Sequence, residues 1–155
     1  MLIELSISNF FSFRDEQTIS MVATTKLRKR ENTFAPEVEN EKLPKLLKVA
    51  AIYGPNASGK SNLIKALELV GKFAAREPAN SEELPVSPFR FDAALVNQPS
   101  RITLHFVAKK TRYEFNLAAT SERITEEKLT AYPKGKEVLL YSRKHTAQGE
   151  QYTFG

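Results

Sequence analysis

Hydrophobic and polar residues alternate at the start of the chain. Over residues 2–8 the side chains of Ile3, Leu5 and Ile7 share one face, and polar residues occupy the positions between them. This alternation predicts a half-buried strand, because successive side chains of a strand point to opposite faces. Residues 17–23 alternate again, more weakly, and predict a second strand that runs antiparallel to the first.

A nearly continuous apolar run covers residues 49–53. It predicts a central strand of a parallel sheet, which is buried on both faces. Helical spacing begins a few residues later, and Pro78 marks a stop soon after it. The apolar residues on the predicted helix face are Leu63, Ile64, Leu67, Val70, Phe73 and Ala74. The segment between the run and the helix is therefore a strand-to-helix connection.

The second half of the chain is predicted to be mostly antiparallel β structure. Residues 76–100 form a long connection with four prolines, and residues 88–91 within it predict a short extended segment. Alternating strands follow, with turns at residues 109–111 and 133–135. The strand-like segments cover residues 102–106, 113–117, 124–132, 137–142 and 151–154.

Composition favours one domain of a cytoplasmic protein. The 155 residues suffice for a single core. Cysteine is absent, which excludes disulfides and thiolate metal sites. No apolar run has the length of a membrane helix, and no secretory signal precedes the first strand. The net charge of +5 permits contact with nucleic acid. The basic cluster Lys26, Arg28, Lys29 and Arg30 is either a weak nucleic-acid patch or, more simply, part of a solvated loop.

The connection between the predicted strand and helix carries the clearest chemistry in the sequence. Residues 54–61 match the phosphate-loop (Walker A) pattern G-x-x-x-x-G-K-[ST] at every fixed position. Glycines permit backbone turns that a Cβ atom disfavours. Successive amides can then converge on phosphate oxygens, beside the positive end of the following helix. We call residues 54–61 the phosphate loop.

The predicted ligand of the phosphate loop is ATP with Mg²⁺. Lys60, the candidate catalytic residue, is expected to reach the β- and γ-phosphates, and the Ser61 hydroxyl is expected to ligate Mg²⁺. The predicted ATP-binding residues are Gly54, Pro55, Asn56, Ala57, Ser58, Gly59, Lys60, Ser61 and Asn62.

A second acidic group, with which phosphate-loop hydrolases support Mg²⁺, is not found in the sequence. The two aspartates, Asp15 and Asp92, do not end an apolar strand, and Glu114 alternates onto a surface position. A guanine-reading Asn-Lys-x-Asp is also absent, which argues against a GTPase. His105 and His145 are isolated, so the sequence predicts no histidine metal triad and no Ser-His-Asp site.

These features together resemble the RecF and SMC branch of the ABC-type ATPases. The residues that carry the resemblance are the strand at residues 2–8, Asn9-Phe10, Ser12 and the phosphate loop. The loop through Leu63 is especially similar to a bacterial AAA-family group of this branch. Residues 113–117 and 124–129 are similar to a strand hairpin of the same group. That group is associated with abortive infection, phage defence and OLD-type nucleases.

The resemblance implies an ATP-switched clamp, in which two heads sandwich two ATP molecules and each head receives the signature motif of the other. Asn56 would then lie near the γ-phosphate. The position after Asn-Phe, which is basic in many relatives, is Phe11 here, and Arg14 follows three residues later. The glutamine that senses Mg²⁺ in this class is not placed, and Gln148 and Gln151 are candidates by position alone.

Three phenylalanines, Phe10, Phe11 and Phe13, lie in the connection after the first strand. They either plug the end of a hydrophobic core or help to wall an adenine pocket. The core plug is the simpler interpretation.

The predicted fold class is α/β. The protein is expected to be a P-loop NTPase that forms half of an ABC-ATPase-like head. Its expected parts are an N-terminal antiparallel β-hairpin, the phosphate-loop strand and helix, and a following, mostly antiparallel β region. Residues 1–155 are expected to be one N-terminal segment of such an ATPase, incomplete at its C-terminal end.

The expected partners are ATP, a second ATPase head or the missing C-terminal part, and a nuclease or DNA, with no membrane. The alternative function is a non-catalytic ATPase half that acts as an interaction module. Hydrolysis by this chain alone stays open, because the second acidic strand (Walker B) and the signature motif are absent from it.

Overall fold

A computed structural model describes residues 1–27, 29–75 and 84–155 of the chain. In these residues one helix, α1, packs against a seven-stranded sheet. A separate two-stranded sheet is hydrogen-bonded to the segment that follows the second strand, where the Leu47 amide donates to the Met21 carbonyl at 2.7 Å. Two short 3-10 segments are Arg30–Asn32 and Pro133–Gly135. The helix and strands are β1 (Leu2–Ser8), β2 (Gln17–Ser20), β3 (Thr33–Phe34), β4 (Leu46–Leu47), α1 (Lys60–Ala75), β5 (Ser100–Ala108), β6 (Thr111–Ala119), β7 (Ile124–Tyr132), β8 (Val138–Thr146) and β9 (Gly149–Phe154).

The large sheet has the order β2-β1-β5-β6-β7-β8-β9, and every neighbouring pair is antiparallel. The predicted pairing of the first two strands is confirmed, with Leu5 opposite Ile19. On its other side β1 pairs with β5, where Leu5 lies opposite Leu104. Leu5 and Ile7 are each only 1% exposed. One face of β1 therefore belongs to the hydrophobic core.

Strands β5 and β6 form the predicted hairpin, and the register pairs Ala108 with Thr111 across its turn. The two residues between them, Lys109 and Lys110, have φ values of 46° and 59°. A two-residue turn with both φ values positive matches the right-handed twist of the paired strands. Strands β7, β8 and β9 follow as predicted, and β8 extends beyond its predicted end because it pairs with both β7 and β9.

The predicted helix is confirmed, but its buried face is rotated from the predicted one, because it includes Ala66 and Leu69, which the prediction left out. Ile64 and Leu67 were expected on the buried face and are 57% and 38% exposed. Phe73 packs partly buried against the core, and the side chain of Ala74 lies outside the described part of the chain. The sheet covers α1 from one side only, so a single stripe at helical spacing is enclosed. The buried residues of α1 are Leu63, Ala66, Leu69 and Val70.

Residues 49–53 do not form the predicted central strand. Val49, Ile52 and Tyr53 are 71%, 49% and 89% exposed, and residues 49–59 contain no β structure. A strand needs neighbours for its amides and carbonyls, and the strands of the described chain pair with one another in antiparallel fashion. The expectation of a parallel sheet at the phosphate loop is therefore wrong for the described residues, which combine one helix with an antiparallel sheet.

The connections are largely as predicted. Lys26, Lys29 and Arg30 are exposed, which fits a solvated loop, whereas Arg28 lies outside the described residues. Within that polar stretch β3 pairs with β4. Residues 88–91 form no strand and end in a turn, so the predicted extended segment is wrong. Residues 76–83 of the same connection are not described.

The α-helix of the described chain is not long and apolar enough to cross a membrane.

The phenylalanines after β1 plug the core. Phe10 is 0% exposed, and Phe11 and Phe13 pack against the core cluster. The backbones of Phe10 and Phe13 exchange two hydrogen bonds of 2.9 and 2.8 Å, which makes a tight turn. The core-plug interpretation is confirmed. We call residues 9–14 the β1 loop.

Candidate functional site

The phosphate loop takes a backbone path that depends on its glycines for two different reasons. Gly59 has a φ of +92°, and Ala57, two residues earlier, has a φ of 63°. Residues other than glycine rarely adopt this left-handed region. Gly54 has no such conformation, but a Cβ atom on it would lie 2.8 Å from the Ser58 Oγ. The first glycine therefore permits a close approach, and the second permits a turn.

The amides at the start of α1 point out of the helix without acceptors. The amides of Asn62 and Leu63 donate to the carbonyl of Gly59 at 2.9 and 3.1 Å. Those of Gly59, Lys60 and Ser61 have no hydrogen-bond acceptor among the described residues. The first amides of any helix lack partners within the helix, and together with the helix dipole they attract anions. This end of α1 is therefore suited to a phosphate group.

The Lys60 ammonium group lies over the phosphate loop. Its Nζ donates to the carbonyl oxygens of Gly54 and Pro55 at 2.8 and 2.7 Å, and to the Ser58 Oγ at 3.4 Å. Residues 54–58 are exposed, and Gly59 is buried. The positive charge is therefore held at the mouth of the loop, on the side that faces solvent.

Ser61 is exposed and directly follows Lys60 at the start of α1. Among the described residues, no group of three or more His, Cys, Asp or Glu side chains is arranged to hold a metal ion. One hydroxyl is a small donor set, yet Mg²⁺ commonly takes one or two protein groups together with waters and substrate phosphates. The site therefore fits Mg²⁺ that arrives with a nucleotide, and it does not fit a metal ion bound by the chain alone.

The β1 loop contacts the helix end of the phosphate loop. The side-chain amide of Asn62 donates to the Ser12 Oγ at 2.9 Å. The Lys65 ammonium lies 4.5 Å from the centre of the Phe11 ring, a favourable cation–π contact. In the sequence, Ser12 is only one of the residues that carry the family resemblance, and no contact is predicted for it. A hydrogen bond between residues 50 positions apart leaves no periodic signal in a sequence.

Arg14, the last residue of the β1 loop, forms an ion pair with Asp92. The Arg14 Nε and Nη2 both donate to the Asp92 Oδ2, at 3.0 and 2.8 Å. This hydrogen bond from Arg14, assisted by the backbone amide of Ala94, holds the pKa of Asp92 below its ordinary value. Asp15 lies 3.7 Å from the same guanidinium. Both aspartates therefore contact Arg14.

Glu114 is not the open surface residue that strand alternation predicts. Its carboxylate accepts hydrogen bonds from Asn116 Nδ2 at 2.8 Å and from the Tyr132 hydroxyl at 2.7 Å. Burial alone would raise the pKa of Glu114, but these hydrogen bonds outweigh it, and the pKa lies below its ordinary value. The His105 Nδ1 lies 4.0 Å away. The carboxylate thus belongs to a polar network of the sheet.

The two glutamines proposed by position lie at the edge of the large sheet that is far from β1. Gln148 is in the turn between β8 and β9, and Gln151 is an exposed residue of β9. Strand β9 is an edge strand, five positions away from β1. The structure does not bring either glutamine to the β1 loop.

A comparison with known families finds a match for this chain. The family model described as "AAA domain, putative AbiEii toxin, Type IV TA system" matches residues 49–150, which is more than half of the chain. The matched range begins at the apolar run before the phosphate loop and ends in β9. No curated protein matches the chain.

Proposed function

The chain belongs to this family of AAA domains, and from that premise we propose that its phosphate loop binds ATP together with Mg²⁺. In this proposal the chain is the ATP-holding N-terminal part of an ABC-class ATPase. The resemblance to defence ATPases makes phage defence or DNA metabolism the proposed setting. A second ATPase head, and a nuclease or DNA, are the proposed partners.

One observation carries the proposal: three successive amides without acceptors and the Lys60 ammonium belong to the same loop. The amides of Gly59, Lys60 and Ser61 have no acceptor in the described residues. The Lys60 Nζ is 2.8 Å from the Gly54 carbonyl and occupies the same loop. Backbone amides and a lysine ammonium group are the donors that cradle the phosphates of a nucleoside triphosphate.

The residues have separate roles in the proposed site. The amides of residues 59–61 hold phosphate oxygens, and Lys60 turns from its own loop carbonyls to the β- and γ-phosphates. The Ser61 hydroxyl contributes one ligand to Mg²⁺, and the remaining ligands come from phosphate and water. When bound, Mg²⁺ neutralises charge on the β- and γ-phosphates.

Hydrolysis by phosphate-loop enzymes needs a second acidic group that supports Mg²⁺, and two carboxylates of the described residues are already held by other side chains. Asp92 is held by Arg14 at 2.8 Å, and Glu114 is held by Asn116 and Tyr132. We therefore propose that the acidic group comes from another polypeptide segment. The expected ATP turnover of this chain alone is nil, and turnover at this site without any addition would contradict the proposal.

The test of ATP binding compares two lysines on one helix. Lys60→Ala is expected to weaken ATP binding by about tenfold or more, since it removes charge-assisted hydrogen bonds to phosphate. Lys72→Ala, exposed near the other end of α1, is the matched control and should bind as the wild type does. Calorimetric titration with ATP and Mg²⁺ measures both, and a melting curve checks each fold. Equal affinity of Lys60→Ala and the wild type would overturn the site.

The exposed apolar run at residues 49–53 favours a second candidate function, a non-catalytic half that works by docking to another segment. Val49 and Tyr53 are 71% and 89% exposed directly before the phosphate loop. Large exposed apolar side chains beside a site often mark an interface. The two functions differ in turnover. If ATP hydrolysis stays absent when a matching ATPase half is added, the interaction module is favoured.

A further inference from the structure

The β1 loop meets the phosphate loop at one hydroxyl group. The Asn62 Nδ2 donates to the Ser12 Oγ at 2.9 Å. A Cβ atom on Gly59 would lie 2.8 Å from the same Oγ. Ser12 therefore stands at the junction where the phosphate loop becomes α1.

Asn62 connects this hydroxyl to the amides of the first helical turn. It is the third residue of α1, and its backbone amide donates to the Gly59 carbonyl at 2.9 Å. The residues between these two, Lys60 and Ser61, carry amides that have no acceptor in the described chain. A hydrogen bond that fixes the Asn62 side chain therefore also fixes the helical turn whose amides are free to bind a phosphate group.

The β1 loop is anchored on its other side, which gives Ser12 a defined position. Asn9 is 5% exposed. Its Nδ2 donates to the carbonyls of Leu95 and Gln98 at 3.0 and 2.9 Å, and its Oδ1 accepts from the amide of Phe89 at 2.9 Å. A group held by a rigid support loses little entropy when it orients a neighbour.

We propose that Ser12 is a positioning residue of the nucleotide site. Through its hydrogen bond to Asn62, it holds the first turn of α1 in the orientation in which the amides of residues 59–61 and the Ser61 hydroxyl converge on the bound phosphates. Ser12 acts through Asn62 and does not contact the nucleotide. The inference rests on the proposed binding of ATP at the phosphate loop.

The test compares the removal of the Ser12 hydroxyl with the removal of a similar hydroxyl on the sheet. Ser12→Ala is expected to weaken binding of ATP with Mg²⁺ about fivefold, the effect of one hydrogen bond of ordinary net strength. The control is Ser6→Ala. The Ser6 hydroxyl bonds to the Thr18 hydroxyl at 2.7 Å in an equally exposed pair on the sheet, and its removal should leave ATP affinity unchanged. Melting temperatures of both variants separate lost affinity from lost folding.

A double-mutant cycle tests whether Ser12 affects ATP binding through Asn62. Asn62→Ala should lose as much ATP affinity as Ser12→Ala, and the double variant should lose no more than either single variant. Additive losses would overturn the route through Asn62. Unchanged ATP affinity of Ser12→Ala, beside a wild type that binds ATP, would overturn the role of Ser12. Failure of the wild type to bind ATP would instead overturn the proposed function on which the inference rests.

Discussion

Gly59 lies so close to Phe13 that a Cβ atom on it would stand 3.0 Å from two carbons of the ring. The φ of Gly59 is also +92°. Gly59→Ala should therefore lower the free energy of unfolding by about 2 kcal/mol, from the strained backbone and the displaced ring. It should also abolish ATP binding, because the amide of residue 59 moves. Chemical denaturation and ATP titration measure the two effects.

The control for this substitution is Gly71→Ala, in the helix that begins directly after Gly59. A Cβ atom on Gly71 would have no atom within 4 Å, and the residue lies inside α1. Alanine in a helix interior is more stable than glycine by roughly 0.5–1 kcal/mol. Gly71→Ala should therefore raise stability and leave ATP binding unchanged. Equal effects of the two substitutions would contradict the steric argument.

Asn9→Ala should lower the free energy of unfolding by about 2–3 kcal/mol, because it leaves three partly buried backbone groups without partners. Those groups are the carbonyls of Leu95 and Gln98 and the amide of Phe89. The control is Asn97→Ala, at an exposed position of the connection that Asn9 contacts, and it should change stability by less than about 0.5 kcal/mol. Urea unfolding compares the two, and similar midpoints would show that the Asn9 network contributes little.

The elements that follow a local pattern could be predicted from the sequence. The alternation of residues 2–8 and the hairpin turn at Lys109 and Lys110 need no knowledge of distant segments, and both are confirmed. The helix after the phosphate loop is confirmed for the same reason. Its buried face could not be predicted, because Ile64 is buried only if a second layer covers it, and in the described chain it is 57% exposed.

The contacts of the candidate site could be predicted only in part. The phosphate-loop residues are contiguous, so a spacing pattern finds them. The Ser12–Asn62 hydrogen bond and the Arg14–Asp92 ion pair join residues 50 and 78 positions apart. Such pairs are decided by the packing of the β1 loop and leave no local signature. The same holds for Glu114, whose environment is set by Tyr132 on the neighbouring strand.

Ile52→Lys should leave the free energy of unfolding within about 0.5 kcal/mol of the wild type, since the side chain is already 49% exposed. Ile102→Lys is the matched substitution at a position that is 2% exposed. It should unfold the protein, because it buries an unpaired charge in the core. Thermal melting separates the two. A large loss of stability for Ile52→Lys would show that residues 49–53 are buried in solution.

Stability should fall at alkaline pH because of Tyr132. Its hydroxyl donates to the Glu114 Oε2 at 2.7 Å, and its ring lies 3.7 Å from the Arg112 guanidinium carbon. Burial first, and then the hydrogen bond and charge of Glu114, raise the pKa of Tyr132 to about 12. An unfolded tyrosine ionises near pH 10. The folded phenol therefore contributes stability that is complete below about pH 10 and is lost as the pH rises to about 12, since the unfolded chain releases its proton first.

Tyr132→Phe should flatten this alkaline decline, because phenylalanine has no proton to release. The matched control is Tyr53→Phe, at a side chain that is 89% exposed, and its decline should follow that of the wild type. Urea unfolding between pH 9 and 12 gives the slope for each variant. If Tyr132→Phe declines as steeply as the wild type, the hydrogen bond to Glu114 does not hold the Tyr132 proton in solution.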